Sequence, residues 1–172
     1  MNDKINLKSR SNSTRVFSVY PTYRGFGFVI FEGATKPIDW GNVTVQRRDN
    51  ILTIKKIKSL INYYQPDVLV TEDYSGKGSR RNPRIQSLID SIKQLEKANK
   101  LIVKTYSRAD ISNVFEPFGA STKYEISQTI AKFLPVFKFL TPPKRKPWMS
   151  EDSRMAIFDA AALVLTHFYL ED

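Results

Sequence analysis

The run Val68-Leu69-Val70-Thr71 is apolar or β-branched at every position and is closed by Glu72. A strand with one solvated face would alternate, so an unbroken run reads as a strand buried on both faces. That requirement puts helices on both sides of its sheet. The flanking segments supply them. Ile51, Ile54, Ile57, Leu60 and Ile61 recur mostly at helical spacing over Asn50–Tyr64, and Pro66 ends that helix. Asn82-Pro83 opens another, with Ile85, Leu88, Ile89, Ile92 and Leu95 on a 3.6-residue period to about residue 98. Residues 15–19 and 26–31 flank a turn at 22–25 and read as a hairpin, with a third strand at 40–46 and a fifth at 101–106. Arg108–Phe115, residues 122–134 and residues 150–170 read as helices, the last opened by Ser150-x-x-Ser153. The order predicts an α/β fold: a five-stranded mixed sheet, with antiparallel hairpin strands plus parallel strands, flanked by helices on both faces.

With 172 residues and 41% hydrophobic content, one domain over residues 15–172 is expected, preceded by a polar, basic, disordered arm at residues 1–14. The chain has no cysteine and one histidine, His167. Disulfides, thiolate metal sites and thiol nucleophiles are thereby excluded, and zinc is disfavoured. No apolar stretch reaches the roughly 18 residues of a membrane span, and residues 1–15 lack the apolar centre of a signal peptide. An intracellular protein, cytoplasmic or nucleoid-associated, is expected. The net charge of +10 favours nucleic acid as the partner, through counterion release from phosphates.

Four segments then fall in a telling order. Val19-Tyr20-Pro21-Thr22 is followed by Arg24, Gly25 and Gly27; Tyr64-Gln65-Pro66-Asp67 leads into the strand ending at Glu72; Gly119-Ala120-Ser121-Thr122-Lys123 precedes a helix; and Asp159-Ala160-Ala161-Ala162-Leu163-Val164-Leu165-Thr166-His167 lies near the C-terminus. Between about residues 16 and 168 the chain resembles the ribonuclease H-like superfamily, most closely the RuvC-type Holliday-junction resolvases. The resemblance implies phosphodiester hydrolysis by two divalent ions, magnesium or manganese, with Glu72 and Asp159 at ligand positions and Lys123 near the scissile phosphate. By analogy it also implies a homodimer acting on branched or duplex DNA.

The departures matter as much. Tyr20 stands where the family has its first aspartate, and Ala156 stands three residues before Asp159, where resolvases often carry another acid. Two divalent ions about 4 Å apart repel by roughly 16 kcal/mol at an effective dielectric of 20. A neutral phenol cannot offset that. A weakly held ion, or none, is therefore expected. Of the acids that could substitute, Glu32 lies roughly 20 Å away at the far strand end, Asp73 points away from Glu72, and Asp152 is placed about 10 Å before Asp159 on one helical face as a third metal ligand.

Phosphate contacts come from basic side chains and survive the loss of a metal site. The candidates are Arg24; the loop cations Lys77, Arg80, Arg81 and Arg84, beside a helix N-terminus; and the patch Lys144-Arg145-Lys146. That patch is equally a localisation signal in a eukaryotic source. Tyr20 and Tyr23 are expected to form an aromatic platform, Phe26 and Trp148 to pack into the domain, and His167 to be structural. Three functions compete: a nucleic-acid-binding domain with a degenerate nuclease site; an active endonuclease in which Asp152, Asp73 or a substrate phosphate supplies the missing anion; and a subunit that meets an acidic protein partner in a larger complex.

Overall fold

The computed structural model describes residues 13–76 and 79–171. The expected arm, apart from its last two residues, and Lys77 lie outside the described residues. Five strands, β1 (Arg15–Pro21), β2 (Gly25–Glu32), β3 (Pro37–Thr44), β4 (Val68–Glu72) and β5 (Ile102–Tyr106), form one sheet in the order β3-β2-β1-β4-β5. The β1–β2 and β2–β3 pairs are antiparallel, and β1–β4 and β4–β5 are parallel. All five residues of β4 are buried, as its unbroken apolar run requires.

The helices are α1 (Asn50–Tyr64), α2 (Pro83–Lys93), α3 (Leu95–Asn99), α4 (Arg108–Phe115), α5 (Lys123–Phe133) and α6 (Met155–Glu171). Alternation along β1 sends Val16 into one core, with Val29, Val70, Ile130, Phe137 and Phe158, under α4, α5 and α6. Phe17 and Val19 enter the other, with Leu69, Ile57, Ile61, Leu88 and Ile92, under α1 and α2. Each fully buried aliphatic or Phe side chain contributes about 1.5–3 kcal/mol.

Helix α6 sits directly on the hairpin because Gly27 has no side chain. A Cβ there would lie 2.5 Å from the Ala156 carbonyl oxygen and 2.7 Å from its Cβ. Gly27 pairs with Tyr20 across β1 and β2, so Asp159, one turn beyond Ala156, is set beside Tyr20.

Helix α6 begins five residues later than expected. Asp152 Oδ1 accepts from the Arg154 amide, and its carboxylate takes the Arg154 guanidinium at 2.9 and 2.7 Å. This local turn competes with helix and wins. Asn42 Nδ2, donating to the Ser153 carbonyl, ties the segment to β3. The expected single helix over residues 82–98 is broken at Gln94, whose amide is shared between the carbonyls of Asp90 and Ile92. Strand β3 gives way after Thr44 to a short turn in which Arg47 (φ 56°) and Arg48 (φ 52°) are both left-handed. Such a conformation costs a non-glycine residue roughly 1–2 kcal/mol. Trp148 is not packed in the domain but 78% exposed; it lies in an irregular proline-rich segment, and its ring contact is the Lys146 ammonium, 5.4 Å away. Phe26 is core, at 1% exposure.

His167 is buried on α6, with Nδ1 2.7 Å from the Tyr106 hydroxyl of β5. Burial holds its pKa below the usual imidazole value. The unfolded chain therefore takes up a proton near pH 6.5 that the folded chain refuses, and stability falls as pH drops through that range. Urea melts at pH 8 and pH 5.5 should show a smaller loss for His167→Gln than for the wild type; an equal loss would mean that His167 contributes nothing to the pH dependence.

Candidate functional site

Parallel pairing of β1 with β4 carries Tyr20 and Glu72 to the same sheet end, and the seat of α6 on Gly27 brings Asp159 to them. Glu72 is 5% exposed. A carboxylate so buried needs a positive partner, and Arg81 supplies it from the loop after β4. Its Nε and Nη2 lie 2.8 and 2.7 Å from Glu72 Oε2, and Nη2 also donates to the Pro21 carbonyl at 2.9 Å. The same guanidinium covers the Tyr20 ring at 4.6 Å from its centroid.

The other side is arranged likewise. Lys123, first residue of α5, donates from Nζ to Asp159 Oδ2 at 3.2 Å, to the Tyr20 hydroxyl at 3.3 Å and to Glu151 Oε1 at 3.1 Å. Tyr20 is thus enclosed by two cations and two acids. Burial raises its phenol pKa and Asp159 adds to that, against Lys123 and Arg81, so the ring is neutral at pH 7. Burial likewise pushes Asp159 up to about 6, with Lys123 pulling it down. For Lys123 and Arg81 burial acts to lower the pKa, but their negative neighbours outweigh it and both stay charged.

Of the three acids expected as metal ligands, Glu72 and Asp159 line one cleft with Tyr20 and Lys123, and Asp152 does not. Asp152 lines the same groove as Asp159, but it precedes the helix and is held by Arg154, which lowers its pKa. Asp73 is engaged by the Ser75 amide and hydroxyl at 2.9 and 2.6 Å. Ala156 places a methyl group against Gly27. Among the described residues no three Asp, Glu or His side chains converge as a metal-binding group. The donor set does not fit a pair of divalent ions: both available carboxylates are bonded to internal cations, and each added ion would face a guanidinium or an ammonium as well as its twin.

Glu151 is the contact that the sequence concealed. It lies one residue before Asp152, in a stretch read as helix, and only the irregular segment ahead of α6 brings it to Lys123. Arg24 and Arg80 are exposed. Arg84 is engaged with carbonyls, donating to Tyr23 at 3.1 Å and to Arg48 at 3.4 Å. Lys144 and Arg145 line a second groove, of about 540 Å³, with Arg108, Ser121 and Lys123. Lys146 is exposed beside Trp148. Tyr23 is 57% exposed, with the Arg48 guanidinium 3.9 Å over its ring.

No protein-family model matches the sequence, and no curated protein matches it. Solved structures do. RuvC of Thermus thermophilus matches at TM-score 0.64 and 14% identity, over 92% of this chain and 96% of that one. T. thermophilus RuvC in complex with Holliday junction substrate matches at the same score and identity, over 95% of its chain. The yeast mitochondrial Holliday junction resolvase Ydc2 matches at TM-score 0.57 and 10% identity, over 99% of this chain and 88% of that one. The architecture is thus the ribonuclease H-type fold, in its RuvC-like form.

Removing one member of a buried ion pair costs about 3–5 kcal/mol, because the survivor is left uncompensated. Arg81→Met should therefore lower Tm by roughly 6–20 °C, and adding Glu72→Gln should recover most of that loss. A thermal melt in which Arg81→Met matches the wild type would show that Glu72 does not need its partner.

Proposed function

We propose that this domain binds branched or duplex DNA through a RuvC-like cleft whose cleavage chemistry is impaired. The observation that carries this reading is the pairing of Glu72 with Arg81 and of Asp159 with Lys123 around a neutral Tyr20. Internal cations at the carboxylates replace the charge that two metal ions would bring, while the basic surface that attracts phosphates is kept. Support for DNA as the ligand comes from the net charge of +10, from Lys144 and Arg145 along one groove and from exposed Arg80 beside the cleft. The Thermus protein of the same architecture was solved with Holliday junction substrate, which makes a four-way junction the first ligand to try.

In this reading Arg81 and Lys123 are positioning residues for the cleft, and Arg24, Lys77, Arg80, Lys144, Arg145 and Lys146 meet the phosphate backbone. Arg84 holds its loop through the carbonyls of Tyr23 and Arg48. Lys123 presents its ammonium toward the cleft, and Glu151 occupies part of its donor capacity until a phosphate oxygen takes that place.

Fluorescence anisotropy on a labelled four-way junction should give binding with a log K against log salt slope of about −5, reflecting several neutralised phosphates. Charge reversal at Arg80 together with Lys144 and Arg145 should flatten that slope by roughly two to three. Binding that ignores salt would sink the reading and favour an acidic protein partner. On the same preparation, magnesium or manganese should produce no junction cleavage by the wild type. Tyr20→Asp alone should not create it, since Arg81 and Lys123 would pair with the new carboxylate. Nicks made by the wild type and lost in both Glu72→Gln and Asp159→Asn would establish an active endonuclease instead.

A further inference from the structure

The turn between β1 and β2 and the turn after β3 are fastened together. The Val45 amide donates to the Arg24 carbonyl at 2.7 Å, and Arg84, from the first turn of α2, bonds the carbonyls of Tyr23 and Arg48. Arg48 then lies over the Tyr23 ring. The result is a corner holding Arg24, Arg47, Arg48 and Arg84. Among the described residues none of these four has a carboxylate partner. Asp49, adjacent in sequence, is engaged with the amides of Ile51 and Leu52 at the start of α1. Concentrated positive charge is costly to hold without a counter-ion, and here the backbone adds two successive left-handed arginines.

A groove of about 630 Å³ leads from the cleft to this corner, lined by Tyr20 and Asp159 at one end and by Tyr23, Arg24 and Thr44 at the other. We propose that Arg24, Arg47, Arg48 and Arg84 form a second phosphate-backbone seat, onto which a DNA arm held at the Tyr20 cleft continues along this groove. The inference rests on the DNA-binding reading above and adds to it where an arm of the ligand goes.

Two physical points select this partner and direction. Glu151 and Asp152, which also line the groove, already occupy Lys123 and Arg154, so the cations left without a carboxylate partner lie on the hairpin side and a backbone leaves there. Arg24 is four residue steps along the chain from Tyr20, a reach of at most about 14 Å. A duplex carries one charge per roughly 1.7 Å of axis, so it presents about eight charges over that length. A rigid, carboxylate-free arginine corner beside a half-exposed tyrosine matches such a periodic anion better than a single small phosphate.

The test compares four-way junctions with long arms and with arms cut to a few base pairs, using the full chain. Arg47→Gln/Arg48→Gln should weaken long-arm binding by roughly tenfold to a hundredfold and reduce the salt slope by about two. Short-arm binding should stay at the wild-type level. Arg47→Lys/Arg48→Lys should restore long-arm affinity, and Lys97→Gln/Lys100→Gln, beyond the opposite sheet edge, should not change the slope. A wild type that binds while Arg47→Gln/Arg48→Gln keeps its slope overturns the second seat, as does equal loss on long and short arms. A wild type that binds neither junction overturns the DNA reading itself.

Discussion

Two carboxylates brought to one end of a buried sheet repel each other and resist desolvation, so positive charge must stand within a few ångströms of both. Divalent ions are one source. In this chain the source is covalent: Arg81 reaches Glu72 from the loop after β4, and Lys123 reaches Asp159 from the first turn of α5. Much of the local structure depends on these two contacts. Arg81 also fixes the end of β1 through the Pro21 carbonyl and lies on Tyr20, and Lys123 gathers Tyr20 and Glu151 around one ammonium. Three acids then face two cations, so the cleft stays slightly negative, and Asp159, pushed up to about 6 by burial, relieves that excess on mild acidification.

In the proposed function, this charge arrangement separates gripping DNA from cutting it. Cutting would require charge concentrated at the carboxylates, where the protein has already neutralised them. Gripping requires charge spread over a surface, and it is spread: Lys144 and Arg145 line one groove, Arg24 lines another, and Arg47, Arg48 and Arg84 belong to the turns fastened beside it. Tyr20 stands between, too enclosed to ionise and well placed to keep the two cations apart.

The fold was legible in the sequence wherever pattern and burial agree. The unbroken run at β4, the period of α1 and the switch from strands to helices specified a mixed sheet covered on both faces. The α6 boundary was not, because Asp152 and Arg154 form a local turn that helical periodicity does not register. That error carried into the site: it put Asp152 on the helix face with Asp159 and hid Glu151, whose contact with Lys123 exists only because the segment is irregular. Glu72 and Asp159 could be picked out by position, but the partner of each could not. Arg81 reaches Glu72 through a loop of no periodic pattern, and the arginine corner depends on two turns that meet only in three dimensions.

The most direct measurement is a manganese titration followed by NMR, since a paramagnetic ion broadens every nucleus near it. With internal cations at both carboxylates, amide and side-chain signals of Tyr20, Glu72 and Asp159 should broaden no more than those of exposed acids elsewhere. Selective loss of those three signals at low manganese concentration would show ions seated at the carboxylates despite Arg81 and Lys123, and would contradict this account.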